Sequence, residues 1–153
     1  MGLNDGKEDK RSTDLENIDA AFKIAYEDAY KKGQVILSEA YMKEGYNDAF
    51  KSSEYKAPTY ENDKYINWYK EGFDKGISDI ERIKEVGYSD GYNRNEQKVP
   101  EGLEQGKDLY DQYYIKGTEV ADKEGKEATM AFSGVAAAGW LLRRFLVAKK
   151  SIM

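Results

Sequence analysis

Gly72-Phe-Asp-Lys-Gly76-Ile-Ser-Asp-Ile-Glu-Arg-Ile-Lys-Glu-Val-Gly87-Tyr-Ser-Asp-Gly91 is the stretch on which the fold turns. Two glycines four apart return after 15 residues. The pairing continues as Gly102/Gly106 and Gly117/Ala121, and Gly125 extends the last pair. The intervals are rich in Glu, Lys, Arg and Ile, which suits helix better than loop. Fifteen residues fill four turns at roughly 3.75 residues per turn, and a period above 3.6 favours right-handed supercoiling. The small residues therefore line one helical face.

Glycine inside a helix costs about 0.8–1 kcal/mol relative to alanine. Seven repeat glycines cost about 6–7 kcal/mol together, close to the whole stability of a small domain. Packing must offset that cost. A small-xxx-small face is flat, so a partner backbone can approach and Cα–H···O contacts can form. The competing reading makes Asp90-Gly91 a type I′ hairpin turn between Tyr88 and Tyr92. It accounts for one pair and leaves the common spacing unexplained. The expected fold is all-α, with long helices and helical hairpins packed through Gly72, Gly76, Gly87, Gly91, Gly102, Gly106, Gly117, Ala121 and Gly125.

Working outward, the stripe fails at Asn95 and Lys98, just before Val99-Pro100. Proline suits a first helical turn and disrupts an interior, so one helix ends near Asn93 and another begins near Pro100. Upstream, residues 51–64 (KSSEYKAPTYENDK) carry turn chemistry and read as a connection, with Asn62 or Asp63 as the next cap. Thr13-Asp14-Leu15-Glu16 fits a capping box. It opens a helix reaching about Phe50, with Leu15, Ile18, Phe22, Ala25 and Ala29 on one face. A small ridge, Ala21, Ala25, Ala29 and Gly33, runs beside an aromatic one, Phe22, Tyr26 and Tyr30. Residues 1–12 are polar and expected to be flexible.

The chain of 153 residues fits one domain with a tail. It has no cysteine and no histidine. Disulfides, thiolate nucleophiles, Cys-based zinc sites and Ser-His-Asp chemistry are therefore excluded within it. The net charge of −5 is unevenly spread. Residues 1–127 hold 20 basic against 29 acidic side chains, a balance of −9, and residues 128–153 carry +4. The organisation is a flexible start (1–12), an acidic helical body (13–127) and an apolar, basic C-terminal helix (128–153).

That tail has an uncharged run of 15 residues, Ala128 to Leu142, shorter than the roughly 20 a spanning helix needs. It reads as amphipathic, and Trp140, Leu141, Arg143, Arg144, Phe145, Lys149 and Lys150 are the candidates for contact with a partner or a membrane surface. The polar N-terminus carries no leader-like pattern, so a cytoplasmic location is expected, with membrane association through the tail as the alternative.

Catalytic motifs fail on inspection. Gly87-Tyr-Ser-Asp-Gly91 spells a nucleophile elbow, which requires a strand-to-helix turn and a histidine. Gly102-Leu-Glu-Gln-Gly106-Lys107 is one residue short of a phosphate loop and places Asp108 where Ser or Thr should bind magnesium. The tyrosines sit among acids, which disfavours nucleic-acid stacking. No catalytic, cofactor-binding or metal-ligating residues are assigned. The expectation is a non-enzymatic assembly or adaptor protein, homo-oligomeric or bound to another protein, with a composition that suits bacteria or phage. The alternatives are a peripheral or tail-anchored membrane protein and an acidic inhibitor that mimics DNA or blocks host defence.

Overall fold

The computed structural model describes residues 1–13, 15 and 18–132. Among the described residues, four α-helices follow one another: α1 (Gly2–Lys7), α2 (Ala20–Lys51), α3 (Asp63–Asn93) and α4 (Lys107–Phe132). A 3₁₀ turn at Glu104–Gly106 leads into α4. The all-α class expected from the glycine stripe is what forms. The chain divides into two compact units, Met1–Glu81 and Arg82–Met153, and the boundary falls within α3.

In the first unit, a β-carbon built on Gly45 would overlap the backbone of Tyr69, and one on Gly72 would overlap that of Met42. Gly76 sits against Ala49 and Tyr46. Residue numbers rise together along the two helices, so the second half of α2 runs parallel to the first half of α3. Parallel neighbours need a return path, which explains the length of the connection at residues 52–62. It must run back about 20 Å, the rise of the 13 residues from Asp63 to Gly76. The connection covers the pair as it returns: Tyr55 packs edge-on against Phe73, with centroids 5.3 Å apart, and Tyr60 edge-on against Tyr69 at 6.1 Å. Short α1 lies on the first half of α2 in the same way, with Gly2 against Tyr26, Gly6 against Tyr30 and Gly33 against Leu3.

The second unit repeats the arrangement. Gly87 lies against Tyr110, Gly91 against Tyr114, and Gly117 against Tyr88 and Tyr92. Again the helices are parallel, and residues 94–106 form the return path, anchored by buried Leu103. Among the described residues, half of the buried apolar side chains are aromatic: Tyr26, Tyr69, Phe73 and Tyr110, beside Leu15, Ala49, Ile83 and Leu103.

Several boundaries differ from the expectation. Asp19, not Thr13, caps α2, its side chain accepting from the Ala21 amide at 2.8 Å. After α1 the chain turns back along the pair, as the Ser12 amide shows by donating to Tyr26 Oη at 2.8 Å. Residues 2–7 are helical because α1 docks; six residues do not hold a helix alone. Gly33 lies buried within α2, against Leu3 and Gly6 of α1. α4 begins at Lys107, several residues after Pro100, and continues without a boundary at Ala128. The expected tail helix beyond Phe132 lies outside the described residues.

Two glycine substitutions separate packing from propensity. Gly72→Ala forces a methyl into the Met42 carbonyl and should cost more than about 3 kcal/mol, the upper range for core overpacking. A methyl at Gly125 meets nothing within 4 Å, so Gly125→Ala should gain about 0.5–1 kcal/mol from helix propensity. Urea unfolding of the two variants checks both signs.

Candidate functional site

The contacts repeat because the sequence does. Gly2-Leu-Asn-Asp5-Gly6, Gly45-Tyr-Asn-Asp48-Ala49 and Gly87-Tyr-Ser-Asp90-Gly91 share the form Gly-x-x-Asp-small, at spacings of 43 and 42 residues. Tyr26-x-x-x-Tyr30-x-Lys-Gly33, Tyr69-x-x-x-Phe73-x-Lys-Gly76 and Tyr110-x-x-x-Tyr114-x-Lys-Gly117 recur at 43 and 41. Each helix that carries the first motif packs on the one that carries the second. The aspartate of the first then accepts a hydrogen bond from the tyrosine of the second. Tyr26 donates to Asp5 at 2.9 Å, Tyr69 to Asp48 at 2.9 Å and Tyr110 to Asp90 at 2.8 Å.

These are clasps, and two of them also hold the return path. Tyr26 Oη accepts from the Ser12 amide at 2.8 Å, and Tyr110 Oη accepts from the Lys98 amide at 3.1 Å. One phenol thus ties helix, connection and next helix together. The helix ends match as well. Lys10 N donates to Asp5 O at 2.8 Å and Asn95 N to Asp90 O at 2.9 Å. The residues between, Asp9 at φ 55° and Arg94 at φ 56°, take the left-handed conformation that closes a Schellman motif.

Asp9 adds a second knot in the first unit. Its carboxylate accepts from Lys64 Nζ at 2.7 Å, Tyr65 Oη at 2.6 Å, Gln34 Nε2 at 2.9 Å and Tyr30 Oη at 3.3 Å. Burial opposes its charge, but the hydrogen bonds from Lys64 and Tyr65 hold the carboxyl below its usual range. Tyr65 in turn stacks on Tyr41 at 4.7 Å and 8°, and Lys64 lies over the Trp68 ring at 5.1 Å.

The electrostatics follow from the geometry. Burial, with Asp90 next, pushes Tyr110 up to about 12; burial and Asp48 do the same for Tyr69. Hydrogen bonds from Lys51 and Tyr69 lower the Asp48 carboxyl. A phenol that is hard to ionise and a carboxylate already engaged make a structural joint rather than a proton-transfer pair. Among the described residues, no three Asp or Glu side chains are grouped so as to hold a metal ion.

The expected glycine stripe divides by position. Gly72, Gly76, Gly87, Gly91 and Gly117 are buried where helix backbones meet. Gly106 is buried at the end of the 3₁₀ turn. Gly102 stands in the connection at φ 80°, where a side chain would meet no neighbour but the backbone would be strained. Ala121 is half-buried and Gly125 exposed on α4. Trp140, Leu141, Arg143, Arg144, Phe145, Lys149 and Lys150 lie outside the described residues. The 15-residue reading missed Asp5, Asp48, Asp90 and the tyrosines they hold. The signal was in the sequence, as the longer repeat of about 42 residues. Comparison with protein-family models, curated proteins and solved structures finds no match to this chain.

Tyr110→Phe should cost about 1–2 kcal/mol, the worth of a hydrogen bond to a charged group in a part-exposed site. The fold holds the neutral phenol, so this stability is present below the ordinary tyrosine range near 10 and lost as pH rises toward 12. Urea midpoints measured from neutral to strongly alkaline pH should fall steeply for the natural chain and less steeply for Tyr110→Phe.

Proposed function

We propose that this is a non-enzymatic helical assembly or adaptor protein that acts through protein–protein contacts. The observation that carries the reading is the commitment of its polar chemistry to helix–helix joints. Asp5, Asp48 and Asp90, with Tyr26, Tyr69 and Tyr110, all engage one another rather than converge on a cleft. The joints recur every 42 residues or so, as in repeat proteins, where each unit contacts its neighbours and the outer faces bind partners. Light scattering on the full chain should give a multiple of 17.5 kDa. A mass of one chain at every concentration would remove self-assembly from the reading.

A second reading rests on the tail. No helix among the described residues is long and apolar enough to cross a membrane. Residues 128–153 combine an apolar run with four cations and Trp140, the composition of a helix lying in a membrane surface. In this reading the full chain floats with anionic vesicles, and replacing Arg143, Arg144, Lys149 and Lys150 by glutamine abolishes flotation. Failure of the natural chain to float would end it.

A further inference from the structure

α2 shows an uncovered face. Its α1 contacts come from Tyr26, Ala29, Tyr30 and Gly33, and its α3 contacts from Met42, Gly45, Tyr46 and Ala49. Between these lie all four of its exposed large apolar side chains: Phe22 at 52% exposure, Ile24 at 64%, Val35 at 54% and Ile36 at 44%. Ala21 and Ala25, between Phe22 and Ile24 around the helix, are exposed as well. Water-facing apolar side chains clustered on one element mark an interaction surface more often than scattered ones do.

Their positions have a two-fold symmetry. At 100° per residue, Phe22 and Ile36 lie within about 40° of each other around the helix, and Ile24 and Val35 within about 20°. The two pairs form the two edges of the face. Reversing the direction of a second α2 about a point beside Ala29 and Tyr30 sets Phe22 opposite the partner's Ile36. The same register sets Ile24 opposite the partner's Val35, to within about one residue, or 1.5 Å. It also brings Asp28 opposite the partner's Lys32, a pairing of opposite charges that occurs twice by symmetry. In an antiparallel helix pair, like edges meet like edges, so all three pairings occur at once. Exposed Ala21 and Ala25 lie near the middle of the face and are small enough to let the helices approach.

Charge points the same way. The body of the chain is strongly acidic, so most of its surface repels a second copy. On this face of α2, however, exposed Lys32 and Lys43 balance exposed Asp28 and Glu39. Within an acidic body, the face with the matching apolar pairs is neutral.

We infer that two copies of this chain associate through an antiparallel α2–α2 contact whose two-fold axis is level with Ala29 and Tyr30 along the helix and passes beside Asp28 and Lys32. The inference rests on the assembly reading and gives it a surface and a partner. The contact is isologous, which closes a dimer instead of starting a filament.

The chain lacks cysteine, so engineered disulfides test the register directly. Phe22→Cys and Ile36→Cys chains carrying different tags are mixed and mildly oxidised. A disulfide between the two variants, with little within either alone, is expected. Equal linking of Phe22→Cys to itself would overturn the antiparallel register. In parallel, the double variant Phe22→Glu, Ile36→Glu is weighed by light scattering. Both sites are exposed, so circular dichroism should match the natural chain, and the mass should fall from twice 17.5 kDa to 17.5 kDa. A natural oligomer that the double variant leaves intact would overturn this face while the assembly reading stands. A natural chain of single mass would overturn this contact and self-assembly together, leaving the adaptor reading.

Discussion

The structure depends on how closely two helix backbones can approach. At Gly45, Gly72, Gly91 and Gly117 a β-carbon would lie inside 3 Å of a carbonyl oxygen on the neighbouring helix. No other residue fits there, which makes the propensity cost of these glycines acceptable. Close approach gains dispersion and Cα–H···O contacts along the whole crossing. It also leaves little room for the thick layer of aliphatic side chains found in most small bundles. Rings lie beside the contacts instead, and the apolar core is correspondingly small.

Close backbones fix where side chains can reach. When Gly45 abuts the Tyr69 backbone, the phenol of Tyr69 extends over α2 and meets Asp48, one turn further on. The same placement gives Asp5–Tyr26 and Asp90–Tyr110. Glycine and clasp are therefore one device, since the aspartate lies three residues after the glycine in all three cases. The parallel direction follows from the same register, and it forces a connection of about a dozen residues to run back along each pair. A single phenol can then hold the connection too, as Tyr26 and Tyr110 do.

Much of this was legible in the residues. The all-α class came from glycines set in helix-favouring intervals, and the break before Pro100 from proline's missing amide. The connection at residues 51–64 came from its turn chemistry. The N-terminus was misjudged for an identifiable reason. Thr13-Asp14-Leu15-Glu16 has capping chemistry, yet Asp19 caps the helix, because Ser12 is still held beside Tyr26 on the way back from α1. Residues 1–12 look loose by composition, and Gly2 to Lys7 become helical only through contact with α2. The candidate site was half visible. Most of the stripe glycines lie at contacts, but a spacing of 15 also gathered Gly102, which belongs to a connection. Counting one residue type hid the repeat; adding Asp and Tyr to the pattern would have exposed it.

By itself, the sequence determined helix against strand, the small faces that must be covered and the absence of thiol and imidazole chemistry. Those properties are local or compositional: propensity, periodicity and residue type act within a few turns of chain. Only the tertiary structure decided which small face meets which, that neighbours run parallel, and that Asp5, Asp48 and Asp90 hold tyrosines some 20 residues away. Such pairings depend on long-range register, which is set when backbones come into contact and side chains must fit together.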